Sequence, residues 1–119
     1  MRLVLYAISL VLPLALSAGC ASFPAPTEKM ASSEAAVRGA REVGADRVPQ
    51  ASLELRLSEE QIGKAKTLMA AGDNELADLM LQRAQADAEL ALSLAREDQA
   101  RREAQQLVAQ VAQLRGQVK

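Results

Sequence analysis

The stretch VPQASLELRLSEEQIGKAKTLMAAGDNELADLMLQRAQADAELALSLA, residues 48–95, decides the fold of this chain. Pro49 suits the first position of a helix, where its missing N–H group is not needed. Gly72-Asp73-Asn74 then interrupts the stretch with a strong turn signal. We therefore predict two long helices that are joined at this turn and fold back on each other as an antiparallel pair.

Apolar residues recur at helical spacing on both sides of the turn. The expected core face of the helix before the turn comprises Leu53, Leu55, Leu57, Ile62, Ala65, Leu68 and Met69. The expected face of the helix after the turn comprises Leu76, Met80, Ala84, Ala88, Ala91 and Ala95, broadened by Leu79, Leu90 and Leu94. The sequence Ser58-Glu59-Glu60-Gln61 can also cap a new helix, so a break near Ser58 is an open alternative.

A shorter helix is predicted before this pair. Thr27 is a residue type that caps helices, and Glu28 follows in the first turn, where the helix dipole favours an anion. Gly44 is a natural stop for this helix, and Met30, Val37 and Ala40 recur on its apolar face. We predict an all-α fold: a three-helix antiparallel bundle, or a helical hairpin similar to half of a tetratricopeptide array, over residues 27–98, with a long C-terminal helix.

The C-terminal residues 99–119 carry a different apolar pattern. Leu107, Val111, Leu114 and Val118 follow a four-three-four spacing, which makes about a heptad and a half of coiled-coil seam. Such an extension either packs back on the first helices or projects and pairs with another copy or a partner helix. We favour projection, because the two preceding helices are long enough to cover the C-terminal helix only as far as about residue 98.

The first 26 residues differ from the rest in composition. Arg2 precedes an uncharged run from Leu3 to Leu16, shorter than the roughly 20 apolar residues that a membrane-spanning helix needs. Small residues follow, so residues 1–19 are predicted to be a secretory signal peptide. Pro24 and Pro26 disfavour helix, which predicts that residues 20–26 form an extended tether.

Cys20 is the only cysteine, so it cannot form an internal disulfide, and without histidine a metal site has too few ligands. Residues 17–20 resemble a bacterial lipobox, with Ser17 in place of the usual leucine. The resemblance implies cleavage before Cys20 and lipidation of its sulfur. Since no aspartate follows, it also implies sorting to the outer membrane, facing the periplasm. The alternative is an ordinary signal peptide, cut nearby, that leaves a free thiol.

Several features occur together between Ala35 and Ala95: the Gly-Ala turn at residue 44, the helix start at Pro49, the Gly72-Asp73 turn and an alanine-rich run. In combination they resemble the bacterial domain-of-unknown-function 4398 family. That family occurs in envelope lipoproteins and has no established activity. The resemblance therefore implies an envelope location and transfers no catalytic residue.

The residue types also argue against catalysis and against the binding of nucleic acid or a cofactor. Histidine is absent, which removes catalytic triads, and the adjacent Glu59 and Glu60 point in different directions on a helix. Asp73 and Glu75 flank a turn, where acids normally cap. Charge is nearly balanced and Phe23 is the one aromatic residue after the signal peptide, so nucleic-acid binding is not expected. We expect no enzyme, no small-molecule substrate and no cofactor apart from a covalent lipid on Cys20.

The expected function is that of a non-enzymatic, outer-membrane-anchored periplasmic lipoprotein. It would act as a helical protein-interaction or structural module, with an envelope protein or a second copy as partner. The alternative is a tether between the outer membrane and peptidoglycan through Lys119. That alternative is similar in outline to Braun's lipoprotein, whose terminal lysine is joined covalently to peptidoglycan.

Overall fold

The computed structural model describes residues 22–118. In chain order it contains α1 (Thr27–Glu42), a short 3-10 helix (Ala45–Arg47), α2 (Pro49–Ala71) and α3 (Asn74–Gln117). Within these residues there is no β-strand. The predicted all-α fold with a long C-terminal helix is confirmed. The predicted signal peptide (residues 1–19), Cys20 and Lys119 lie outside the described residues.

The three helices form a bundle in which α2 runs antiparallel to its two neighbours. Contacts between α1 and α3 advance in the same direction along both helices, from Lys29–Asp78 to Ser33–Leu81. Contacts between α1 and α2 advance in opposite directions, since Glu34 pairs with Lys66 and Arg41 pairs with Glu59. The start of α1, the end of α2 and the start of α3 therefore lie at the same end of the bundle.

Glycine occupies both turns that connect the helices. Gly44 and Gly72 have φ angles of 84° and 86°, a left-handed conformation that side chains with a Cβ adopt at a cost. At the second turn the N–H groups of Gly72 and Asp73 donate to carbonyls in the last turn of α2 at 3.1 and 2.9 Å. These bonds satisfy carbonyls that the helix end leaves free. Both turns lie where the sequence predicts them.

One helix start differs from the prediction. Pro49 is the first residue of α2, as expected. At α1, however, Thr27 is not the cap: Pro26 occupies that position, and its carbonyl accepts the N–H of Met30 at 3.0 Å. Proline is suitable there because its own N–H is not required at a helix start.

Helix α2 continues without a break through Ser58, so the alternative of a new helix at this position is wrong. Ser58 is fully buried, and its hydroxyl donates to the carbonyl of Ala84 in α3 at 2.6 Å. The hydroxyl thus bonds to a neighbouring helix instead of capping its own. Sequence alone does not distinguish these two uses of a serine.

The buried face of α3 is almost entirely alanine. It comprises Ala77, Leu81, Ala84, Ala88, Ala91 and Ala95. Ala84, Ala88, Ala91 and Ala95 are buried as predicted. The prediction was wrong for Leu76, Leu79 and Leu90, which are exposed, and Met80 and Leu94 are only partly buried. The true face follows the 3.6-residue period back to small residues, whereas the prediction followed the larger side chains.

Small residues also dominate the contacts of α1 and α2. Ala40, Ala51 and Ala65 are fully buried, whereas Leu53 and Leu57, predicted to widen the core face, are exposed. The buried Ser33 donates to the carbonyl of Leu81 at 3.1 Å, a direct bond between a side chain of α1 and the backbone of α3. Such bonds form only where helix backbones approach closely, which alanine and serine allow.

Candidate partner-binding surface

Helix α3 extends beyond the bundle after Ala95, its last buried residue. The connection between α1 and α2, residues 43–48, lies at this end of the bundle, so within residues 22–118 no other helix accompanies α3 further. All residues from 99 to 118 are exposed. We call residues 96–118 the free part of α3, including Val118 at its C-terminal cap, and residues 74–95 its packed part.

The first two turns of the free part are stabilised by side chains within the helix. Arg101 pairs with Glu97 at 2.5 Å, and Arg102 pairs with Asp98. Gln99 also donates to Glu103 at 3.0 Å. An acid placed four residues before a base favours the helix, since this order also suits the helix dipole. This segment therefore forms a solvated helix without a partner.

The rest of the free part has no such support. Residues 104–114 contain no charged side chain. The predicted seam, Leu107, Val111, Leu114 and Val118, is between 47% and 88% exposed. Val108 beside it is also exposed. Single apolar residues are common on protein surfaces, but a contiguous row on one helix is typical of an interaction site.

A second exposed apolar group lies at the opposite end of the bundle. The side-chain amide of Asn74 donates to the carbonyl of Phe23 at 2.9 Å, which holds the tether against the turn before α3. Phe23, Leu76 and Leu79 are exposed and line a shallow depression there. The sequence pattern does not reveal this group, because Phe23 is distant in the chain and Leu76 and Leu79 were both predicted to lie in the core.

Ion pairs on the bundle surface shift the pKa values of several carboxyl groups. The pKa of Asp78 is lowered by a hydrogen bond from Lys29 at 2.7 Å, with a further contribution from Gln82. The pKa of Glu34 is lowered by Lys66, which lies 2.8 Å away on α2. Both pairs join different helices, so their charges help to fix the helices relative to one another.

The carboxylates considered for catalysis either form ion pairs or lie at a helix start. Glu59 pairs with Arg41, and Glu60 pairs with Lys64. Asp73 lies at the cap position of α3 and Glu75 in its first turn, where negative charge stabilises a helix. Within residues 22–118, no three acidic, cysteine or histidine side chains are grouped so that they could hold a metal ion.

The helices of residues 22–118 include none with the length and apolar character required to cross a membrane. Comparison with curated proteins and with solved structures gives no significant match. A family model, described as a domain of unknown function (DUF4398), matches residues 28–107. The matched region covers the whole bundle and the free part of α3 as far as Leu107. The chain therefore belongs to the DUF4398 family.

Proposed function

We propose that the protein is a non-enzymatic lipoprotein of the bacterial envelope, anchored in the outer membrane through lipid on Cys20 and facing the periplasm. Its bundle would act as a rigid base, and the free part of α3 would bind a protein partner. The observation that carries the proposal is the apolar seam on a helix that no other helix of the described chain covers.

The positions of the two ends of the bundle support this arrangement. Phe23 is held beside Asn74, three residues after Cys20, so an anchored chain would have the start of α3 near the membrane. Helix α3 has 44 residues and is about 66 Å long at 1.5 Å per residue. The seam begins about 50 Å from Asn74 on the same scale. The bundle would thus hold the seam away from the membrane.

The side-chain chemistry supports a binding role. The carboxylates that could have formed a catalytic pair are bound to Arg41 and Lys64. The full sequence contains no histidine, and its one thiol is the predicted lipid attachment site. Alanine-lined helix contacts also favour close packing over a cavity that could enclose a substrate.

The decisive experiment is intact-mass spectrometry of the protein purified from native envelopes, before and after lysozyme digestion of the peptidoglycan. We expect a chain that starts at Cys20 and carries acyl groups. A chain that starts elsewhere with a free thiol would overturn the anchoring proposal. A muropeptide attached to Lys119 would instead support the alternative function, a tether between the outer membrane and peptidoglycan.

A further inference from the structure

We propose that the partner of the seam is a second copy of the chain, and that the two free parts pair as a parallel two-stranded coiled coil. The inference rests on the proposed function for its anchored geometry and names the partner that the proposed function leaves general. It depends on the residue types of the seam, its surroundings and its direction on α3.

The residue types of the seam favour a coiled coil of two parallel helices. In the heptad that fits the spacing, Val111 and Val118 take the a positions, and Leu107 and Leu114 take the d positions. A β-branched residue at a with leucine at d is the combination that favours parallel dimers. In a parallel pair each of these side chains meets its own counterpart, so the exposed row on one copy complements that on the other.

The charges near the seam are compatible with self-pairing. The seam is flanked on one side by Glu103 and Gln110, which in a parallel pair lie next to Val108 and Arg115 of the second copy. Neither contact brings like charges together. On the N-terminal side of the seam, the a and d positions are occupied by Ala104 and Ala100, and the next a position by Glu97. Its carboxylate would oppose that of the second copy, so pairing should stop there.

The seam also points in a direction from which a second copy can approach. At 3.6 residues per turn, its centre lies about 130° around α3 from the buried row that ends at Ala95. Helices α1 and α2 therefore do not cover it. Two chains anchored at the same end in one membrane would both direct α3 away from the surface, which favours parallel over antiparallel pairing.

The short length of the seam predicts a weak dimer. The seam has four apolar positions over residues 107–118, whereas a stable coiled coil sustains its pattern over about three to four heptads or more. Anchoring in one membrane raises the effective concentration of the two helices and adds stability without a new contact. We therefore expect the dimer in the envelope and mainly monomer in dilute solution after removal of the lipid.

The test is disulfide cross-linking, in native envelopes and with copper–phenanthroline as oxidant, of full-length variants that each carry one cysteine in addition to Cys20. Leu107→Cys, Val111→Cys and Val118→Cys each place a thiol on the seam. Ala109→Cys is the matched control, because residue 109 lies on the opposite side of the same exposed turn. We expect dimer at all three seam positions, at least tenfold more than at residue 109. Equal yields at seam and control positions, or no dimer, would overturn the proposal.

Other patterns overturn specific parts of it. Cross-linking at residue 111 but not at residues 107 and 118 would indicate antiparallel pairing, because residue 107 of one copy would then lie opposite residue 118 of the other. A product of another mass would identify a different protein as partner. Leu107→Ser with Leu114→Ser should abolish cross-linking by Val111→Cys, whereas Leu90→Ser, an exposed leucine outside the seam, should not. The unsubstituted chain tests the anchor separately, because a dimer linked through Cys20 would show that Cys20 is not acylated.

Discussion

The two parts of α3 use apolar residues in opposite ways. In the packed part the buried row consists of alanines and a single leucine, Leu81. In the free part, the leucines and valines of the seam are exposed. One continuous helix thus buries a row of mostly small apolar residues in its packed part and exposes a row of large ones in its free part. A residue of α3 is buried when its side of the helix contacts α1 or α2, and its hydrophobicity alone does not predict this.

The reason is the distance between helix backbones. Alanine removes little apolar area from water per residue, but it allows helices to approach until polar groups reach each other. Ser33 and Ser58 show this, because their hydroxyls bond directly to carbonyls of α3. The packed part therefore depends on small side chains, and a larger residue should be harmful there and harmless in the free part.

The largest expected effect comes from enlarging the buried row. Ala84→Leu places additional carbon atoms between α2 and α3 and should lower the free energy of unfolding by about 2–3 kcal/mol, as overpacking does. Ala109→Leu, in the free part and away from the seam, should change it by less than about 0.5 kcal/mol. Urea unfolding followed by circular dichroism measures both. Equal effects would contradict the contrast between the two parts.

A smaller effect is expected from the bond between helices at Ser58. Ser58→Ala removes the donor to the carbonyl of Ala84 and should cost about 1 kcal/mol. Ser93→Ala is the control: its exposed hydroxyl bonds only to Glu89 within α3, and alanine is the better helix former. We expect Ser58→Ala to lower the thermal midpoint of unfolding and Ser93→Ala to leave it without a decrease. A loss of stability in both would show that the interhelical bond is not the cause.

The smallest effect concerns charge. The pKa of Asp78 is held below its ordinary value of 3.8 in the folded protein, so its pairing with Lys29 adds stability at higher pH. That stability is fully present above 3.8 and is lost as the pH falls through the lowered pKa. Lys29→Met should therefore lower the thermal midpoint slightly at neutral pH, and the difference from the unsubstituted chain should vanish in acid.

The matched variant is Arg101→Met, which breaks the pair with Glu97 in the free part. That pair joins residues of one solvated helix, so its loss should leave the midpoint of the bundle unchanged at every pH. A persistent difference between Lys29→Met and the unsubstituted chain at low pH would mean that Lys29 acts through packing of its aliphatic stem.

Predictability differed between the backbone and the side chains. Gly44, Pro49 and Gly72 indicated the turns and a helix start, because their backbone requirements are local. The seam was also visible as a spacing. By contrast, the buried serines and the exposed Leu76 could not be identified, since their environments are created by residues on other helices.

The sequence by itself determined that the chain is helical, where its turns lie and that its C-terminal helix carries a seam. Each of these depends on residues within a few positions of one another, and local backbone preferences are sufficient. Only the tertiary structure decided which face of α3 is buried, that Ser58 bonds to a neighbouring helix, and that no other described helix covers the seam. Those outcomes depend on how closely the three helices approach, which no single helix encodes.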